Sequence, residues 1–133
     1  MLNILLAEDD DALRSLLSLM LSQSGYSVLE ASDGVDALTT AKRHTGSIDL
    51  LCANMACSRL DGVSLAEQLK TKHPQMKVIM LVTANRNFVK IARARAAQHP
   101  DYAVLEKPFS LEQFAFKVDQ VLGRARVSAA PPA

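Results

Sequence analysis

Cysteine is scarce in this chain. Cys52 and Cys57 are the two thiols among 133 residues. No histidine or further cysteine stands near them at ligand spacing, which makes a poor zinc site. Cys52 lies in an apolar run and reads as a small buried hydrophobe, and Cys57 follows in a loop with a structural role. A dominant charge is also missing. Fifteen basic and fourteen acidic side chains leave a net charge of +1, so no global field argues for nucleic acid or an anionic membrane. No apolar run approaches transmembrane length. The start, Met1-Leu2-Asn3, lacks a basic n-region, and its first charges are Glu8-Asp9-Asp10. No signal peptide is expected, and a cytoplasmic location follows by default. There is no internal repeat. There is no helix-turn-helix pattern or appended output domain, which argues against direct sequence-specific DNA binding. What is present is ordinary for a soluble domain: 49 % hydrophobic and 22 % charged residues, in one unit long enough for a sizeable core.

Apolar runs alternate with helical periodicity along the chain. Asn3 to Ala7 reads as a buried strand. Leu13, Leu16, Leu17, Met20 and Leu21 then recur at helical spacing, capped by Asp10 or Asp11 and stopped by Gly25. Tyr26 to Ala31 is a weaker strand. Asp33 caps a helix carrying Val35, Leu38 and Ala41 that stops near Gly46. Ile48 to Ala53 is a third strand, and Asn54 to Asp61 a loop. Gly62 opens a helix with Val63, Ala66 and Leu69 inward, ending before Pro74. Val78 to Val82 is a fully apolar strand, Phe88 to Ala97 a helix with a thin apolar stripe, and Tyr102 to Leu105 a fifth strand. Ser110 and Gln113 form a capping box, with Phe109 stapled onto Phe114. The last helix carries Leu111, Phe114, Val118, Val121 and Leu122 and ends at Gly123. Residues 1–123 form the domain, and residues 124–133 read as a flexible tail.

Five strand-helix units imply an α/β fold with a doubly wound parallel sheet. Ligands bind such sheets at the carboxyl ends of strands. Glu8-Asp9, Asn54, Thr83 and Lys107 all fall at such ends. An acidic pair can hold a hard divalent cation; a hydroxyl and an ammonium can hold phosphoryl oxygens. The nucleophile of such a site would have to be a carboxylate, and position 54 carries an amide. Plainer readings compete. Carboxylates ahead of a helix are favoured by its dipole, Lys107 can be a solvated lysine, and Thr83 a turn residue. His44, His73 and His99 read as surface residues near helix ends. Arg86, Lys90 and Arg93 share one helix face, either solvated or a docking surface for protein or nucleic acid. A flavodoxin would need a hydroxyl- and glycine-rich phosphate loop after the first strand, where this chain has acids.

The pieces Ile4-Leu5-Leu6-Ala7-Glu8-Asp9-Asp10, Asp49-Leu50-Leu51, Leu60-Asp61-Gly62, Val82-Thr83-Ala84 and Lys107-Pro108-Phe109 stand in an order and spacing that resembles the response-regulator receiver domain of two-component signalling. The resemblance implies a flavodoxin-like (βα)5 fold with strand order 2-1-3-4-5. It implies that Asn54 stands at the phosphoacceptor position, and that Glu8 and Asp9 match the magnesium-binding pair. The backbone carbonyl of Ala56 matches a further metal ligand. Thr83 matches the hydroxyl that reports phosphorylation, Lys107 the lysine that pairs with the phosphoryl group, and Pro108 a proline after a cis peptide. Departures cluster at the site. Asn54 replaces the acceptor, and Cys57-Ser58 stands where the family usually has Met-Pro. Val104 occupies the place of an aromatic switch residue, with Tyr102 two positions early on the same strand face. The segment from Thr83 to Lys107 runs slightly long around Gln98-His99-Pro100.

The expectation is a stand-alone pseudo-receiver acting by protein contact, with weak or absent Mg²⁺ and its self-phosphorylation chemistry lost. Its partner would be a histidine kinase or another two-component protein. The resemblance places its contact surface at Arg86, Lys90, Arg93, Tyr102 and Val104. The alternative is a working phosphoacceptor regulator, with Asn54 an engineered replacement for aspartate or another residue taking the phosphoryl group. A third reading is a nucleic-acid adaptor using Arg86, Lys90 and Arg93, which would show steep salt dependence. Kinase, pathway and oligomeric state are not encoded in these patterns.

Overall fold

The computed structural model describes residues 1–124; most of the expected tail, residues 125–133, lies outside the described residues. Ten elements alternate: β1 (Asn3–Ala7), α1 (Asp11–Gln23), β2 (Ser27–Ala31), α2 (Gly34–Arg43), β3 (Leu50–Asn54), α3 (Gly62–Lys70), β4 (Lys77–Val82), α4 (Arg86–Gln98), β5 (Tyr102–Glu106) and α5 (Leu111–Val121). The strands form one parallel sheet in the order β2-β1-β3-β4-β5. This is the doubly wound flavodoxin-like order.

Strand alternation divides the core into two layers. Ile4, Leu6, Leu50, Cys52, Ile79 and Leu81 face Leu17 and Leu21 of α1 and Phe114 and Val118 of α5. Leu5, Ala7, Leu51, Ala53, Val78, Met80 and Val82 face Ala37 and Ala41 of α2, Leu65 and Leu69 of α3, and Ala92 of α4. Among the described residues no helix is long and apolar enough to cross a membrane.

Helix caps appear where short polar residues precede the apolar stripes. Asp10, Asp33 and Asp61 accept hydrogen bonds from the backbone N–H groups of Leu13, Asp36 and Ser64. Asn85 receives Asn87 and Phe88, so α4 begins two residues before the expected Phe88. Both bonds of the Ser110–Gln113 capping box form, and the Phe109 and Phe114 rings stack with centroids 5.8 Å apart. At the end of α5, Gly123 has φ +72°. Its N–H reaches Gln120 O at 3.2 Å, and that of Arg124 reaches Asp119 O at 2.7 Å, the pattern of a Schellman stop. Arg124, expected in the tail, lays its guanidinium over the Tyr26 ring at 4.5 Å. The described residues thus include one residue of the expected tail.

Several inward expectations are corrected. Leu16 is 47 % exposed and Leu111 37 % exposed. Their helices bury only the stripe that meets the sheet, which is narrower than the apolar pattern. The third strand starts at Leu50 rather than Ile48, because Ile48 N–H is taken by His73 Nδ1 at 3.3 Å. His73 and His44 are half-buried rather than surface residues, and His99 is exposed with its ring 5.1 Å from that of Tyr102.

Candidate functional site

Parallel registry brings the expected residues to one edge of the sheet. Ala7 pairs with Ala53, and Val82 with Glu106, so the next residues emerge together where the strands end. Met55 N–H bonds Leu81 O at 2.9 Å and Lys107 N–H bonds Val82 O at 2.7 Å, which carries the alignment one step past the strands. The Lys107–Pro108 peptide is cis.

Asn54 is the centre of the arrangement, and it is 7 % exposed. Its Nδ2 donates to Asp9 Oδ1 at 3.0 Å and to Glu8 Oε2 at 3.2 Å. Its Oδ1 accepts from Ala56 N–H at 3.2 Å. The orientation of the amide is fixed by its partners. Turned over, Oδ1 would face two carboxylates and Nδ2 would face another donor. Glu8 is fully buried, a state a carboxylate tolerates only with partners. Its Oε1 accepts from Lys107 Nζ at 2.7 Å, and its Oε2 also accepts from Asp10 N–H at 3.1 Å. Burial pushes the Asp9 carboxyl up. Hydrogen bonding with Glu8 and Asn54, its own backbone N–H and the Lys107 charge outweigh that and hold it below the ordinary 3.8.

The other expected residues stand farther out. Thr83 follows β4 directly and is exposed, with its hydroxyl free of hydrogen bonds among the described residues. Ala56 meets the site through its N–H. Tyr102 and Val104 are half-buried and pack on the same layer, that of α2, α3 and α4. Arg86, Lys90 and Arg93 are all exposed on α4. Arg93 is paired with Glu106 at 2.8 Å; Arg86 and Lys90 have no ion pair among the described residues. Cys57 is buried beside the site, and burial, with the charges of Asp9, Glu8 and Asp33, pushes its thiol up to about 11. Such a thiol is inert.

Two supporting features escaped the sequence reading. Arg14 donates to the Glu8 carbonyl at 2.8 Å and to Asp11 at 2.7 Å, fixing the turn that presents the acidic pair. Its place four residues after a helix cap was the available signal. Gly62 lies against the backbone of Asn54. A Cβ there would come within 2.9 Å of Asn54 O and 3.1 Å of Met55 Cα, so only glycine lets α3 start this close.

Two carboxylates, one ammonium and an exposed hydroxyl around a strand end could hold a divalent cation and a phosphoryl group if the central residue were a carboxylate. With the amide present, its own N–H groups bridge the two acids.

The chain matches the family model for the response regulator receiver domain over residues 4–119. It is 33 % identical over 120 residues to the sensor kinase CckA of Brucella abortus, covering 90 % of this chain and 12 % of that protein. It is 31 % identical over 126 residues to the alkaline phosphatase synthesis transcriptional regulatory protein PhoP of Bacillus subtilis, covering 95 % of this chain and 50 % of that one. The chain thus spans about half the length of that curated regulator and a small part of the kinase. Among solved structures, the receiver domain from the hybrid histidine kinase CckA superposes with a TM-score of 0.73 at 30 % identity, covering 90 % of this chain and 98 % of that one. A receiver domain protein from Clostridium thermocellum gives a TM-score of 0.80 at 21 % identity, covering 92 % and 95 %, a likeness of fold alone. With the family model covering nearly all of the domain, the chain belongs to the response regulator receiver domain family of two-component signalling.

Proposed function

We propose that this receiver is a pseudo-receiver: a signalling module that acts by protein contact and takes no phosphoryl group at Asn54. The observation that carries this reading is the amide itself. Asn54 Nδ2 holds Glu8 and Asp9 together at 3.2 and 3.0 Å, the place where a receiver with an acceptor carboxylate would set a cation between acids. An amide has neither the charge nor the nucleophilicity for attack on phosphorus.

Mg²⁺ finds a poor site here. Only two carboxylates are offered, and Glu8 is already engaged by Lys107, Asn54 and Asp10. To present Oδ1 to an ion, the Asn54 amide would have to surrender Ala56 N–H and turn its own donors toward it. Binding through Asp9 and Glu8 is therefore weak. The partner class is a histidine kinase or another two-component protein.

A second reading has one observation in its favour. Glu8, Asp9, Thr83 and Lys107 all remain around position 54, so an aspartate there would complete a phosphoacceptor site. Intact mass separates the two. The protein is incubated with Mg²⁺ and acetyl phosphate, beside Asn54→Asp as the positive control. The wild-type chain is expected to gain no phosphate while the variant does. A stoichiometric adduct mapping to Asn54 contradicts the proposal, and an adduct on another residue supports the second reading.

A further inference from the structure

The C-terminal ends of α2 and α3 meet at the edge of the sheet opposite Asn54. Their N-terminal ends are packed at the Asn54 edge, where Gly34 lies against Leu60 and Gly62 against the backbone of Asn54. At the far ends a cavity of about 270 Å³ lies between the two helices. Leu38 and Ala41 of α2 and Leu69 of α3 give it an apolar floor, and Lys42, Lys72 and His73 form its rim. No carboxylate lines it, and no phenylalanine, tyrosine or tryptophan.

His73 is the fixed part of the rim. Its Nδ1 accepts from Ile48 N–H at 3.3 Å, so in the neutral ring the proton is on Nε2, a donor without a protein partner among the described residues. The turn that carries it is braced. Lys70 Nζ donates to Pro74 O at 3.2 Å, to Met76 O at 3.0 Å and to Asp101 Oδ2 at 2.9 Å, and is thereby occupied. Lys42 and Lys72 are exposed and have no ion pair among the described residues. A cation in a last turn answers the helix dipole, which accounts for Lys42 and Arg43 on α2 and for Lys70 on α3. Lys72 follows the cap residue Thr71 and has no such role. Each helix end brings about half a negative charge. Two ammonium groups outweigh both ends, so the mouth of the cavity is positive.

We propose that this cavity binds a small carboxylate with an apolar body, in chemical class a medium-chain fatty acid or a single-ring aromatic acid. The body would lie on Leu38, Ala41 and Leu69. The carboxylate would meet Lys42 and Lys72, with His73 Nε2–H as a third donor. The cavity is just under the usual range for small-molecule sites, about 300 to 1,000 Å³, so the ligand is small. With no aromatic ring in the lining, nothing is there to stack a nucleobase. A neighbouring cleft of about 350 Å³ shares Lys72 and His73, but Asp49 also lines it and would set a like charge against an acid. The proposal goes beyond the reading of the Asn54 site and does not depend on it.

The test titrates octanoate and phenylacetate into the full chain and follows the backbone amides by NMR. At least one acid is expected to give saturable shifts at Leu38, Lys42, Leu69, Lys72 and His73. The uncharged amide of that acid should bind about tenfold more weakly or worse, the worth of a hydrogen bond to a charged group. The double change Lys42→Glu with Lys72→Glu should weaken the acid by at least as much. Gln68→Trp, at an exposed position on the cavity wall, should block binding by filling the space. Unchanged amide shifts away from the cavity confirm that each variant is folded. Overturning results are no saturable shift from either acid, shifts centred on Lys107 instead of the cavity, an amide that binds as tightly as its acid, or binding indifferent to the lysine reversal or to Gln68→Trp. None of these readouts involves phosphate uptake, so this proposal and the reading of Asn54 can fail separately.

Discussion

At the scale of single residues, the account turns on two exchanges of charge. Lys107 and Glu8 form the first. Glu8 is fully buried and its Oε1 lies 2.7 Å from Lys107 Nζ. Removing one partner of such a pair strands the other charge. Lys107→Met is therefore expected to destabilise the domain by about 3 kcal/mol, read by urea denaturation at neutral pH. Glu8→Gln in the same background should return much of that loss, because it removes the stranded charge. Additive losses would show that the two side chains do not depend on each other. The second exchange is at position 54. Restoring a carboxylate replaces two N–H donors with a third negative charge facing Glu8 and Asp9. Mg²⁺ should then bind Asn54→Asp more tightly than the wild-type chain, as calorimetric titration of both will read. Equal affinities would mean that residue 54 is no ligand.

At the scale of elements, two contacts tie the sheet to its connections. Asp101, just before β5, accepts from Lys77 Nζ at 2.7 Å and Lys70 Nζ at 2.9 Å. These bonds, Lys77 first, hold its carboxyl below 3.8 against the upward push of burial. A depressed folded-state pKa stabilises above the unfolded value and is lost as pH falls through the folded one. Asp101→Asn is thus expected to cost up to about 1 kcal/mol at neutral pH, after solvent screening. The difference from wild type should shrink as pH falls below about 4. A difference constant from pH 7 to pH 3 would contradict this. At α5, Ser110→Ala removes one half of the capping box and should cost about 1 kcal/mol, measured by thermal melting.

Elements were more legible in the sequence than their surroundings. Strands such as Val78 to Val82 are apolar on both faces, and both faces are covered, so their type and limits read directly. The caps at Asp33 and Ser110 read equally well, because a short polar side chain before an apolar stripe has few other uses. Leu16 and Leu111 were misjudged because periodicity says which residues share a face, while the width of the sheet decides how much of it is covered. The start of α4 was missed because Asn85-Arg86-Asn87 carries no apolar signal, although Asn85 supplies the cap.

At the scale of the whole molecule, the order β2-β1-β3-β4-β5 followed from the resemblance, and the sheet alone gathers Glu8, Asp9, Asn54, Thr83 and Lys107 at one edge. The strand ends foretold that convergence. The direction in which the Asn54 amide points was not legible, because it depends on Ala56 N–H and two carboxylates from another strand. The global measurement that bears on the central claim is denaturant unfolding of the wild-type chain and Asn54→Asp, each in EDTA and in excess Mg²⁺. If the Asn54 amide stands in for a cation between Glu8 and Asp9, the aspartate form loses about 1 kcal/mol in EDTA through like-charge repulsion. It should recover part of that loss in Mg²⁺, which binds only the folded site, while the wild-type chain changes little. An aspartate form as stable as wild type in EDTA, with no greater gain from Mg²⁺, would contradict the account.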